Sequence, residues 1–281
     1  MIVTVASGKG GTGKTTVAVN LALSIGDAPI YDCDVEEPNV HVMLQPTELE
    51  TREVQLPIPE VNRESCTLCG KCAEFCQFNA IFVGKNGVIV YPELCHSCGG
   101  CALVCPENAI AEVGHTVGQV HITEANGRRV VYGELTIGEP IATSVIKAVK
   151  NEVVGTEVSI IDAPPGTACP VIETMRDSDY LILVTEPTPF GLHDLKMTVD
   201  VVRELSIPFG VIVNKAGIGD DSVTEYCKGE GIPILMEIPF TRRIAELYSR
   251  GIPFVEELPE WRERFQQLFR AITEEVEHHD Q

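Results

Sequence analysis

The sequence predicts an α/β protein: a doubly wound, mostly parallel sheet with a small α+β domain inserted into it. Three observations predict this. Short apolar, β-branched runs alternate with stretches of helical spacing along most of the 281 residues. A glycine-rich segment joins the first such run to the first helix, and after residue 50 the rhythm breaks for a cysteine repeat that runs to about residue 113.

Taken in order, residues 2–6, IVTVA, form a strand, and 14–25, KTTVAVNLALSI, form a helix. Further strands are expected at 29–34, 157–162, 180–185, 209–214 and 232–238, with helices at 140–151, 191–205 and 221–229. Crossovers between parallel strands need a dozen or more residues, and the helical segments supply them. Residues 55–65, QLPIPEVNRES, read as a proline-bearing linker into the cysteine repeat. The expected organisation is therefore 1–60 and 115–281 as two parts of one domain, with 61–114 inserted between them. Residues 117–137 read as two alternating strands around an Asn126-Gly127 turn. Near the end, Trp261, Phe265, Leu268, Phe269 and Ile272 share one helical face. Acidic residues follow that helix, so it reads as packed on its own domain rather than anchored to a membrane.

The net charge is −20, from 41 acidic and 21 basic residues, which disfavours nucleic acid and anionic lipid as partners. No run approaches the ~18 apolar residues of a spanning helix, and the N-terminus lacks a basic segment leading into a long apolar one, so a cytoplasmic protein without a stable membrane anchor is expected. Eight of the eleven cysteines fall in two CxxCxxCxxxC runs, which read as metal ligands rather than disulfide partners.

Gly8, Lys9, Gly10, Gly11, Thr12, Gly13, Lys14 and Thr15 satisfy G-x-x-x-x-G-K-[ST], followed by Thr16. In such a loop successive backbone N–H groups turn inward around phosphate oxygens, and the following helix adds its positive end. Lys14 is placed to reach the β- and γ-phosphates, and the Thr15 hydroxyl to reach Mg²⁺. Lys9 in KGGTGKT resembles the deviant Walker A signature of the MinD/Mrp/ParA/nitrogenase iron-protein group of P-loop ATPases. YDCDVEEPN (31–39) is similar to that group's switch I, and IIDAPPGT (160–167) to its Walker B and switch II segment. The resemblance implies an ATP-dependent homodimer in which Lys9 reaches the partner's nucleotide. It also implies that Asp162 and Asp32 serve the Mg²⁺ shell and that Asp34 positions the attacking water. A carboxylate at the C-terminal end of a parallel strand faces the crevice where such folds bind ligands. Asn214 and Lys215 in VIVNKAG resemble the base-recognition segment. Gly217 has no side chain where a guanine reader needs Asp, so adenine is favoured, read by Asn214.

The two cysteine runs are offset by 29 residues, and Ala80-Ile81 aligns with Ala109-Ile110. This is similar to a bacterial-type ferredoxin with two [4Fe-4S] clusters, in which the fourth cysteine of each run serves the other cluster. One set is then Cys66, Cys69, Cys72 and Cys105, and the other Cys76, Cys95, Cys98 and Cys101. Zinc is the alternative, but a closed zinc site draws four ligands from two pairs, whereas each run offers three close thiolates and one distant. Gln77 departs from the pattern, standing where the second run has Pro106. Cys33 and Cys227 read as inert. Cys169 follows switch II, where the nitrogenase iron protein carries a cluster ligand, but a second such ligand has no counterpart here.

The functional expectation is an ATPase that couples nucleotide-dependent rearrangement of a dimer to electron transfer through two clusters, with an unidentified redox or cluster-accepting partner. Assembly or delivery of iron-sulfur clusters is the alternative, and a MinD-like spatial organiser with a redox-sensing domain is the third.

Overall fold

The computed structural model describes residues 1–153, 155 and 158–279. β1 (Ile2–Ser7) leads into α1 (Lys14–Ser24), then β2 (Ile30–Asp32) and α2 (Val40–Leu44). β3 (Glu48–Val61) runs out to the cysteine segment, which contains α3 (Lys71–Phe75), the hairpin β4 (Ile81–Gly84) and β5 (Gly87–Val90), and α4 (Gly100–Leu103). β6 (Ile110–Ala125) returns and turns into β7 (Arg128–Leu135). There follow α5 (Ala142–Asn151), β8 (Ser159–Pro165), α6 (Cys169–Met175), β9 (Tyr180–Thr185), α7 (Pro189–Leu205), β10 (Phe209–Ala216), α8 (Ser222–Glu230) and β11 (Ile234–Pro239). The chain closes with α9 (Arg242–Ser249), α10 (Phe254–Glu257) and α11 (Pro259–His279).

The strands form one sheet in the order β11-β10-β9-β1-β8-β2-β7-β6-β3, with β4 and β5 paired separately. Every pair from β11 to β7 is parallel. This agrees with the expected doubly wound, mostly parallel sheet. β9 is buried along its whole length, which is why it reads as an unbroken apolar run rather than an alternating one. Glu157, where the sequence places the start of the next-to-central strand, lies outside the described residues.

The stretch expected as a linker is strand instead. β3 pairs antiparallel with β6 from Glu48↔Glu124 to Val61↔Ile110, so Gln55 to Val61 belong to a long ribbon. Pro57 and Pro59 cannot donate to a ladder, and β3 sits at the sheet edge, where a strand with one open side accommodates both. The expected hairpin is present, with β6 and β7 joined at Asn126-Gly127, both at positive φ.

The terminal helix packs on its own domain. Trp261, Phe265, Leu268 and Ile272 of α11 are buried against α1 and α10, with Phe254 meeting Trp261 edge-on at 5.5 Å. Arg262 and Gln266 donate to the Leu23 and Ser24 carbonyls at the end of α1, satisfying groups that a helix terminus leaves open. Phe265→Ala leaves a cavity in a fully buried position, and we expect a stability loss of about 3–5 kcal/mol in chemical denaturation. Among the described residues no helix is long and apolar enough to cross a membrane.

Candidate functional site

β1 delivers the chain into the glycine-rich loop at the centre of the sheet, between β9 and β8, and α1 begins at Lys14. Gly13 sits at φ 95°, and a Cβ there would overlap the Asn214 amide. Gly8 likewise lies against the Asp194 carbonyl of α7. Glycine at these two positions lets the loop close onto its own scaffold. The Asn214 amide donates to the Thr12 carbonyl at 2.7 Å, bracing the loop from β10. One of its two N–H groups is thereby engaged by the loop rather than by a base.

Lys14 is only 6% exposed. The Thr15 hydroxyl donates to Asp162 Oδ2 at 2.5 Å, while Asp162 Oδ1 is buried and has no hydrogen-bond partner among the described residues. Asp32 is also fully buried, but its oxygens accept from the backbone N–H groups of Asp34, Asn39 and Val40 at 3.0, 2.8 and 3.0 Å. Its hydrogen bonds organise the loop after β2. Burial pushes the Asp32 and Asp162 carboxyls upward, each opposed by the Lys14 charge. Burial, then the Asp32 charge, pushes Asp34 up to about 7.

Lys14, Thr15, Thr16, Asp34, Asn214 and Lys215 line one cleft with about 1850 Å³ of free space. Its far wall is apolar, built from Pro239, Phe240, Ile244 and Tyr248. Sequence reasoning missed this wall, although Phe240 and Tyr248 are 59% and 63% exposed, as rings that face a ligand cleft would be. It also missed Glu186, the residue after β9. Lys9 Nζ lies 3.3 Å from one Glu186 oxygen and Lys215 Nζ 2.5 Å from the other, and Lys215 also donates to the Gly11 carbonyl. Burial works against the Glu186 charge, but hydrogen bonds and charges from Lys215 and Lys9 outweigh it and hold the carboxyl below its usual range.

A row of side chains connects this cleft with the ribbon. Asp32 of β2 is paired with Tyr132 of β7, and Tyr132 with His121 of β6. The Tyr132 ring stacks on His41 of α2 at 4.5 Å and on His121 at 4.6 Å, and His121 Nδ1 shares a hydrogen with the Thr51 hydroxyl of β3 at 3.1 Å.

Beyond the ribbon, the cysteines gather in the two expected sets. Cys66, Cys69, Cys72 and Cys105 line one cavity, with about 350 Å³ of free space, and Cys76, Cys95, Cys98 and Cys101 line another of about 1050 Å³. Gly70 and Gly99, at φ 81° and 70°, open α3 and α4, which carry Cys72 and Cys101 inward. Burial pushes both of those thiols upward. Among the described residues no group of His, Cys, Asp or Glu is arranged to hold a single metal ion; each thiol quartet surrounds a space instead. Cys33 and Cys227 are buried and raised by burial, while Cys169 is exposed at the start of α6.

Comparison with known proteins agrees with the loop geometry. An uncharacterized protein of Methanocaldococcus jannaschii is 31% identical, over 98% of this chain and 97% of its own. An iron-sulfur cluster carrier protein of the same organism is 25% identical over 98% of this chain and 84% of its own. Among solved structures, the septum site-determining protein MinD of Pyrococcus horikoshii, complexed with Mg-ADP, is 22% identical and superposes with a TM-score of 0.57, covering 98% of this chain and 95% of that one. Residues 3–254 match the CobQ/CobB/MinD/ParA nucleotide binding domain, a span that starts at β1 and ends in α10. The chain belongs to that nucleotide-binding family.

Proposed function

We propose that this protein is a homodimeric ATPase that holds two [4Fe-4S] clusters in its cysteine segment and uses ATP to control how that segment meets a protein partner. The observation that carries the proposal is the joining of the two halves in one sheet. The strand ending in Asp32 is paired through β7 to the ribbon bearing both thiol quartets.

The residues fit the groups invoked. Asp162 Oδ1, buried and without a hydrogen-bond partner among the described residues, suits a hard cation, and Mg²⁺ bound there would neutralise phosphate charge. Four thiols around a space suit a cluster, whose body fills the gap, better than zinc, whose ligands converge at about 2.3 Å on one point. Lys14 and the loop N–H groups hold the phosphates, and the phosphoryl group passes to water with the displaced oxygens stabilised by those same donors. Asp34, at the cleft wall, orients the water. Pro239, Phe240, Ile244 and Tyr248 hold the base.

Lys9 serves a partner's nucleotide once it leaves Glu186. Lys9→Ala should bind nucleotide yet fail to dimerise with Mg-ATP in light scattering, while hydrolysis falls with it. Equal dimerisation of the variant would overturn that role.

Control of the cysteine segment predicts that cluster potential or partner affinity differs between Mg-ATP and Mg-ADP, because a ligand shifts an equilibrium only by its differential affinity for the two states. Identical values in both measurements would end the electron-transfer reading. A second reading, delivery of clusters to other proteins, is favoured by the names of several relatives, which are iron-sulfur cluster carrier proteins.

A further inference from the structure

The 29-residue repeat gives each residue from Cys66 to Ile81 a counterpart from Cys95 to Ile110, so the two sites can be compared within one chain. The thiols themselves match. Cys72 and Cys101 are buried, Cys69 and Cys98 are exposed, and Cys76 and Cys105 each accept the backbone N–H four residues on at 3.3 Å.

Their surroundings do not match. The site of Cys66, Cys69, Cys72 and Cys105 is closed by the aliphatic chains of Val61, Val83, Val88 and Ile110. The site of Cys76, Cys95, Cys98 and Cys101 has about three times the free space and opens onto Pro57, Pro59 and Glu112 of the ribbon, with 1050 against 350 Å³. Four exchanges of residue type distinguish it. Gln77 follows the distant ligand Cys76 where Pro106 follows Cys105, and a proline would have fixed φ at that strap. Ser97 stands where the other site has Leu68, and its hydroxyl is buried without a partner among the described residues. Phe78 and His96 replace Glu107 and Thr67. Their rings stack at 3.7 Å and both are exposed, so side chains rather than backbone cover this side.

We infer that the quartet Cys76, Cys95, Cys98 and Cys101 is an exchangeable cluster site, open to an incoming thiol through the ribbon-side groove, and that the other quartet holds its cluster permanently. The inference rests on the two-cluster reading and deepens the delivery one. In the exchange, an incoming thiol binds iron as a thiolate and its proton passes to the departing cysteine. One Fe–S bond forms for each that breaks, and no electron is transferred. Cys76 is the first of this chain's ligands to leave, because its strap lacks the proline that fixes the backbone after Cys105.

The test uses the full chain, loaded anaerobically and challenged separately with a ferrous chelator, with 2-mercaptoethanol, and with an apo-ferredoxin. Half of the iron should leave to the chelator about tenfold faster than the rest, a difference of about 1.4 kcal/mol in barrier. Cys98→Ser should lack the fast phase and Cys69→Ser the slow one. Gln77→Pro, with all eight thiols in place, should slow the fast phase and leave the slow phase unchanged. Transfer of one cluster to apo-ferredoxin without release to 2-mercaptoethanol identifies a protein thiol as the acceptor; release to both identifies general thiol access. A single phase, a fast phase surviving in Cys98→Ser, or no uptake by either thiol overturns the inference. Iron content well below about eight per chain, with zinc in its place, instead overturns the two-cluster reading beneath it.

Discussion

Lys14→Ala will reduce ATP hydrolysis by about 10²–10³-fold in steady-state assays, the loss typical of deleting one fixed donor aimed at developing charge. Lys14 is the first residue of α1 and is almost wholly buried, with the acidic pair Asp32 and Asp162 close enough to feel its charge. Alanine removes an ammonium whose charge both buried carboxylates feel, so the phosphates lose a donor and both acids lose that counter-charge. Apparent nucleotide affinity should fall as well. The cysteine segment lies on the far side of the ribbon, so iron content and the reduced EPR signal of the variant should match the parent. Retained hydrolysis would place the chemistry outside this loop.

On the proposed two-cluster reading, replacing Cys105 will cost the cluster of the first cysteine run, not that of its own run. Cys105 lines the cavity of Cys66, Cys69 and Cys72, so Cys105→Ser should lower iron from about eight to about four per chain. Adding Cys69→Ser to it should remove little more, because both changes strike one site, whereas adding Cys98→Ser should remove most of the remainder. If each run served its own cluster, those two results would be exchanged. Deviation from additivity between the pairs thus reads the cross-connection directly.

The parallel strands were legible because burial on both faces writes them as unbroken apolar runs, and the glycine-rich loop because its spacing is local. The thiol quartets were legible for the same reason, through a repeat of fixed offset. β3 was not, since two prolines argue against a strand unless its edge position is known, and that position is a property of the whole sheet. Glu186 was missed because a single carboxylate after a strand carries no signal until Lys9 and Lys215 are seen to converge on it. The apolar wall of Phe240 and Tyr248 comes from the turn after β11 and from α9, which reach the cleft only once the sheet is ordered. Asp32 was found by resemblance, but its service to the backbone of Asp34, Asn39 and Val40 depends on the loop's folded path.

The ribbon has a mechanical consequence. Its seven outer pairs, from Gln55↔Thr116 to Val61↔Ile110, lie beyond the pairing of β6 with β7, so they form an arm roughly 23 Å long at about 3.3 Å per residue. A bend of about ten degrees where Tyr132 and His121 meet, about 36 Å from the tip at about 3.3 Å per residue, swings the tip by about 6 Å, comparable with the one-turn shifts of about 5.4 Å that repack an interface. On the proposed coupling, the loop around Asp32 need move very little for the thiol quartets to be carried into or out of register with a partner.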